Sequence, residues 1–136
     1  HGNGISLYLD NRKVLVADNR IVNASRPMTF HGETEGKFPG DHEIVIERNI
    51  LASKGRSAAG IISFGKTRGV TIRDNILIGD RFGLLLHPSD RGLIVTDNYT
   101  DPIQIKGDQP RDWIVKDNKP VGSVQRRAAG LDGGSN

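Results

Sequence analysis

Apolar residues fall at alternate positions in short bursts along the chain, and one burst returns five times with the same ending. It reads VLVADN at 14–19, IVIERN at 44–49, VTIRDN at 70–75, LIVTDN at 93–98 and WIVKDN at 113–118. The closing asparagines are Asn19, Asn49, Asn75, Asn98 and Asn118, in steps of 30, 26, 23 and 20 residues. A second burst alternates with the first: Gly or Pro, then two positions spaced by two. It reads GISL at 4–7, PMTF at 27–30, GIIS at 60–63, GLLL at 83–86 and PIQI at 102–105.

A spacing of two is the period of a β-strand, with one face in and one face out. No segment sustains the three-and-four spacing of a helix. Pro27 and Pro102 open their strands, where a missing N–H is tolerable. Two strands per repeat, with turn residues between them, predict an all-β parallel β-helix whose coils hydrogen-bond at a spacing of about 4.8 Å. About five coils are expected over residues 1–121, as part of a longer β-helix. The Gly-rich residues 122–136 read as a tail that wraps the last coil or serves as a linker.

Stacked coils turn corresponding positions into columns. The predicted inward columns are Val14, Ile44, Val70, Leu93 and Trp113; Val16, Ile46, Ile72, Val95 and Val115; and Ile5, Met28, Ile61, Leu84 and Ile103. No coil buries its apolar face alone, so the stack itself makes the core. An asparagine in every coil predicts a ladder, because its amide donates and accepts and can bond to the coils on both sides.

Composition fits this picture and narrows the function. The chain has 136 residues with 17 glycines and 5 % aromatics, which suits turns and a narrow aliphatic core. The absence of cysteine excludes disulfides and thiolate metal sites. No apolar run reaches bilayer length, so no membrane insertion is expected, and no leader pattern opens the chain. The net charge of +3 is small, and basic residues alternate with acids along the chain rather than forming a stripe. That argues against a nucleic-acid partner. Phosphate-loop, dinucleotide, nucleophile-elbow, zinc-finger and helix-turn-helix patterns are all lacking.

The alternation of G-I-x-L with V-x-I-x-D-N-x-I, clearest at 60–77 and 83–98, resembles the repeat of the pectate lyase-like superfamily. The resemblance spans roughly residues 4–118. It implies a right-handed parallel β-helix. It also implies a protein that meets polysaccharide outside the cell, in a periplasm or on a virion. The superfamily's activities include lyases, glycoside hydrolases, epimerases and phage tailspikes, so the fold by itself selects none of them.

In such proteins sugars lie along an outward strand face. One outward column here holds Tyr8, His31, Phe64, His87 and Lys106; the next holds Asp10, Glu33, Lys66, Ser89 and Asp108. A column of five spans about 20 Å. Tyr8 and Phe64 offer flat faces to sugar rings, and Lys66 and Lys106 can neutralise uronate carboxylates. Neutral His31 or His87 can take a proton from sugar carbon while Tyr8 protonates the leaving oxygen. Those are the roles a β-elimination needs, with Asp10, Glu33, Phe64, Lys66 and Lys106 binding substrate. Asp10 and Glu33 would be neighbours about 5 Å apart, so hydrolysis by paired carboxylates stays open.

Two insertions interrupt the repeat, at 31–43 and 52–59, and insertions that spare the core project from a solenoid's edge. Asp10, Glu33, Glu35 and Asp41 have oxygen ligands for a hard cation, but no metal-loop spacing joins them, and His31 and His42 lie far apart. Neither a metal nor a cofactor is expected. Two functions remain: a lyase-like polysaccharide depolymerase, or a non-catalytic glycan-binding or structural segment of a surface fibre. The opening HGNG directly before a core strand suggests a homotrimer or a neighbouring chain covering the coil ends.

Overall fold

A computed structural model describes residues 3–8, 11–32, 42–55 and 59–131. Three parallel sheets run along the stack. The first, sheet A, orders β1 (Asn3–Tyr8), β4 (Arg26–His31), β7 (Ala59–Ser63), β10 (Phe82–Leu86) and β13 (Ile103–Ile105). Sheet B orders β2 (Leu15–Ala17), β5 (His42–Glu47), β8 (Arg68–Arg73), β11 (Ile94–Thr96) and β14 (Ile114–Lys116). Sheet C orders β3 (Arg20–Ala24), β6 (Ile50–Ser53), β9 (Ile76–Ile78) and β12 (Tyr99–Thr100). The fold is an all-β parallel solenoid.

Each coil has three strands where the sequence pattern suggested two. The described residues form four complete coils and a fifth with strands in sheets A and B only. The third strand escapes the period-two pattern because it is short and apolar on both faces. Ile21, Leu51 and Leu77 stack in register against the main core, while Val22, Ile50, Ala52, Ile76 and Ile78 form a second cluster outside it.

The predicted inward columns are the core. Met28, Ile44, Ile46, Ile61, Val70, Ile72, Leu84, Leu93 and Val95 are fully buried, and Trp113 closes its column at 5 % exposure. The register is coil on coil: Ile5 pairs with Met28, Met28 with Ile61, Ile61 with Leu84 and Leu84 with Ile103. At about 25 cal/mol per Å² of apolar surface, each such side chain stabilises the stack by about 1.5–3 kcal/mol.

The asparagine ladder is continuous. Each Nδ2 donates to Oδ1 of the asparagine one coil further on: Asn19 to Asn49 at 2.9 Å, Asn49 to Asn75 at 3.0 Å, Asn75 to Asn98 at 3.0 Å and Asn98 to Asn118 at 2.9 Å. The same oxygens accept the backbone N–H of the preceding asparagine. From the second coil onward, Nδ2 also donates to the coil before: Asn49 to Val16 O, Asn75 to Ile46 O, Asn98 to Ile72 O and Asn118 to Val95 O. The residue before each asparagine, Asp18, Arg48, Asp74, Asp97 or Asp117, has φ between 54° and 59°. That left-handed corner suits aspartate and asparagine better than other side chains.

The outer face of sheet C is covered by the chain's own C-terminal part. Helix α1 (Ser123–Ala128) leads to Ala129, which is 1 % exposed and packs with Ala52 and Ile78. Arg126 pairs with Asp101 at 2.9 Å, and Arg20 Nη2 donates to the carbonyl of Ala129 at 3.0 Å. Among the described residues no helix is long and apolar enough to cross a membrane.

Candidate functional site

The column that ends the strands of sheet A assembles as the repeat predicts. Tyr8 pairs with His31 across β1 and β4, and Phe64 N–H donates to Phe30 O at 2.9 Å, which sets Phe64 beside His31. Lys106 N–H donates to Leu86 O at 3.0 Å, which sets Lys106 beside His87. The first three side chains touch: ring centroids of Tyr8 and His31 are 5.2 Å apart, and those of His31 and Phe64 are 6.0 Å apart, edge to face. Such contacts hold rings at fixed angles and contribute about 0.5–1.5 kcal/mol beyond buried area.

Solvent reaches this stack unevenly. Tyr8 is 58 % exposed and Phe64 38 %, with His31 and His87 half-buried and Lys106 exposed. Arg26, which the sequence did not single out, sets its guanidinium 5.6 Å from the Phe64 ring centroid. Phe64 is thus partly occupied by Arg26 and His31, and Tyr8 is the more open ring. On the adjacent outward column Thr29 and Ile62 are buried although they point away from the core; Ile62 belongs to neither apolar cluster. Sheet A's outer face is therefore open along its edge column and closed at its centre.

The turn after His87 is tightly built. Ser89 N–H donates to His87 Nδ1 at 3.1 Å, and Ser89 Oγ lies 2.7 Å from the same nitrogen. A backbone N–H can only donate, so Nδ1 is an acceptor and neutral His87 carries its proton on Nε2. In this geometry neutral His87 offers a donor outward and no free lone pair. Gly65, at φ 98°, makes room: a Cβ there would sit 2.3 Å from Ser89 Oγ and 2.8 Å from His87 Nδ1. The proton-accepting role assigned by sequence to either histidine falls more naturally to His31.

Below His87 lies a buried carboxylate that sequence reasoning missed. Asp90 accepts hydrogen bonds from Ser63 Oγ, from Thr67 Oγ1 at 2.7 Å and from Thr67 N–H at 3.3 Å. Its own carbonyl accepts Trp113 Nε1–H at 2.7 Å. Burial pushes its pKa up, and the Ser63 and Thr67 donors only partly oppose that. In sequence, Asp90 follows Pro88 and Ser89 and reads as an ordinary turn acid; no local signal marks it as buried.

The second predicted column is described only in part. Lys66 N–H donates to Ser89 Oγ at 3.0 Å, which confirms that neighbourhood, and Lys66 and Asp108 are exposed. Asp10 and Glu33 lie outside the described residues, as do Glu35 and Asp41. Among the described residues no group of three or more metal-ligating side chains converges.

The coil register also gathers what the linear sequence scatters. His42 pairs with Arg68, and Arg68 with Arg91. Arg12 and Arg111 hold the same place, three residues before the paired Leu15 and Ile114. A basic stripe therefore runs along the solenoid, contrary to the expectation that basic residues are interspersed with acids. The unequal repeat lengths hide it, because equivalent residues are separated by 30, 26, 23 and 20 positions. In the first three coils other surface columns do bring opposite charges together. Arg48 pairs with Asp18 at 2.9 Å and also with Glu47, and Arg73 pairs with Glu47 at 2.8 Å. The Arg48 guanidinium holds Asp18 below the usual carboxylate range, and Arg73, then Arg48, does so for Glu47.

No protein-family model, no curated protein and no solved structure matches the chain.

Proposed function

We propose that this solenoid is a carbohydrate-active protein that binds a polysaccharide along the Tyr8–His31–Phe64–His87–Lys106 column and cleaves it by β-elimination. The observation that carries the reading is the contact row of Tyr8, His31 and Phe64 on a solvent-open edge of parallel strands. Exposed aromatic rings fixed by their neighbours present apolar faces to sugar rings at little entropic cost. The likeness of the repeat to the pectate lyase-like superfamily supports the reading and suggests an extracellular, periplasmic or virion setting.

In the proposed reaction His31 takes the proton from the carbon beside a uronate carboxylate. The electron pair left behind forms the new double bond as the adjacent carbon–oxygen bond breaks. The departing oxygen receives a proton from Tyr8. Lys66 and Lys106 would offset charge that builds on the carboxylate. His87, with its proton on Nε2, donates to a sugar hydroxyl or carboxylate.

The test is incubation with a panel of acidic and neutral polysaccharides while following the ultraviolet absorbance of the unsaturated product. A rise with one uronate polymer, lost in His31→Ala and strongly slowed in Tyr8→Phe, supports cleavage. A rise unaffected by His31→Ala removes His31 as the base.

A second reading rests on a different observation. The asparagine ladder is directional, and Asn19 Oδ1 accepts no hydrogen bond from a described residue. That oxygen points where a preceding coil would place its donors. A non-catalytic glycan-binding or structural segment of a surface fibre, capped by another coil or by a homotrimer partner, would use that end. A flat absorbance trace with every uronate polymer selects this reading.

A further inference from the structure

We infer that Arg12, Arg68, Arg91 and Arg111 form an axial cation track that binds a linear glycan carrying one anionic group, carboxylate or sulfate ester, per sugar residue. The inference rests on the reading of the protein as glycan-binding. It adds a second site and states the charge that the glycan must carry.

The track lies at the start of sheet B, across the turn from the aromatic column: Arg68 follows Phe64 by four residues and Arg91 follows His87 by four. Like charges facing each other in register are destabilising. In the first three coils other columns set opposite charges beside each other, Asp18 with Arg48 and Glu47 with Arg73. Here Arg68 and Arg91 sit directly opposite, and Arg91 pairs with Asp112 at 3.4 Å. Asp112 is itself engaged by Gly92 N–H at 2.7 Å. That bond first, and Arg91 second, holds its carboxyl below the usual range. A ligand that brings one anion per coil would relieve the repulsion.

The neighbouring column leaves space for such a ligand. It reads Lys13, Glu43, Gly69, Gly92 and Asp112, and the first four share a left-handed backbone at φ 53° to 68°. Lys13 and Glu43 show that a side chain is compatible with this corner, and a Cβ at Gly69 or Gly92 would meet nothing closer than 3.6 Å. The two glycines thus leave a bare floor between the arginines. A depression of about 360 Å³ is lined by Arg68, Gly69, Arg91, Gly92 and Asp112.

Period and chemistry select the ligand. Coils repeat at about 4.8 Å, close to the length of one pyranose unit in an extended chain. Guanidinium forks match the planar oxygens of carboxylate and sulfate. Single-stranded nucleic acid is the other linear polyanion, but its binding sites combine charge with aromatic platforms for the bases. Neither this column nor the one that holds Gly69 and Gly92 has a phenylalanine, tyrosine or tryptophan.

The experiment measures binding of polygalacturonate, dextran sulfate, uncharged dextran and oligothymidylate by calorimetry across a series of salt concentrations. It uses the intact protein, Arg68→Gln/Arg91→Gln and Tyr8→Ala/Phe64→Ala. The two arginines are exposed, so their variant should melt like the parent. At least one acidic glycan should bind, and the arginine variant should weaken it about tenfold and flatten its salt dependence, because fewer counterions are released. The ranking of the two acidic polymers identifies carboxylate or sulfate. Affinity unchanged in the arginine variant but lost in the aromatic variant overturns the track and leaves the aromatic site standing. Loss in the arginine variant alone supports the track and removes the aromatic site. Tighter binding of oligothymidylate than of either acidic glycan overturns the ligand class, and binding of no acidic polymer overturns the track.

Discussion

Asn75 donates its side-chain N–H to Oδ1 of Asn98 at 3.0 Å, one link in a chain of amides that all point the same way. Asn75 also donates to Ile46 O and accepts two hydrogens from Asn49. Truncation to alanine leaves several buried partners unmatched, each costing about 1–3 kcal/mol. Asn75→Ala should therefore lose about 3 kcal/mol in denaturant unfolding. Asn19→Ala, at the end of the ladder where no described residue donates to its Oδ1, should lose only about 1 kcal/mol. Equal losses at the two positions would contradict a cooperative ladder.

Ile72 is fully buried between Ile46 and Val95. An aspartate there would place an unpaired charge in the central coil, at a cost of several kcal/mol against a total stability of about 5–15 kcal/mol. Ile72→Asp should lack the parent's far-ultraviolet dichroism and thermal transition. Ile72→Val should fold and lose about 1 kcal/mol. A native-like Ile72→Asp would refute the coil register.

What the sequence made legible follows the same physics. Ile44, Val70 and Leu93 announce themselves because one buried face beside one solvated face writes a period of two. Strands such as β9, Ile76–Ile78, are apolar on both sides and write no period at all, so the third strand of each coil was not anticipated. The aromatic column needed only the register of sheet A, which the Gly and Pro starts supplied. The arginine track also needed the register of sheet B across coils of unequal length. Arg26 reaches Phe64 from the start of its strand, a contact between coils that no local motif records. Asp90 is a turn residue by composition and a core residue only once Ser63 and Thr67 close over it.

Acid and base should act oppositely on different parts of the molecule. Burial raises the Asp90 pKa, so in the carboxylate range the folded protein holds a proton there that the unfolded chain has lost. The Asp90 contribution is greatest below the unfolded pKa and falls as pH rises through the raised folded value. Asp18, Glu47 and Asp112 have lowered pKa values, so their contribution is present above the usual carboxylate range and lost on acidification. Melting temperatures of the parent and Asp90→Asn, taken across acidic to neutral pH, should show the parent's advantage over the variant shrinking as pH rises. An advantage that grows with pH would reverse the assignment of Asp90.

His87 should be the Nε2–H tautomer when neutral, because Ser89 N–H occupies Nδ1. Nitrogen-15 chemical shifts of the imidazole would read this directly. Ser89→Ala removes the hydroxyl 2.7 Å from Nδ1 but keeps the backbone donor, so the tautomer should persist. A proton found on Nδ1 in neutral His87 would return this residue to candidacy as the base.

Helix α1 and the residues after it change how the stack can come apart. Coils that touch only their neighbours form a one-dimensional array, which melts by fraying from either end. Here Arg126 is tied to Asp101 in the fourth coil, and the carbonyl of Ala129 is tied to Arg20 in the first. The two remote coils share one fastening, so peeling the first also releases the cover over Ala52 and Ile78 in the coils between. The molecule is held less like a pile of coins than like a pile bound with tape, and it gives way as a unit.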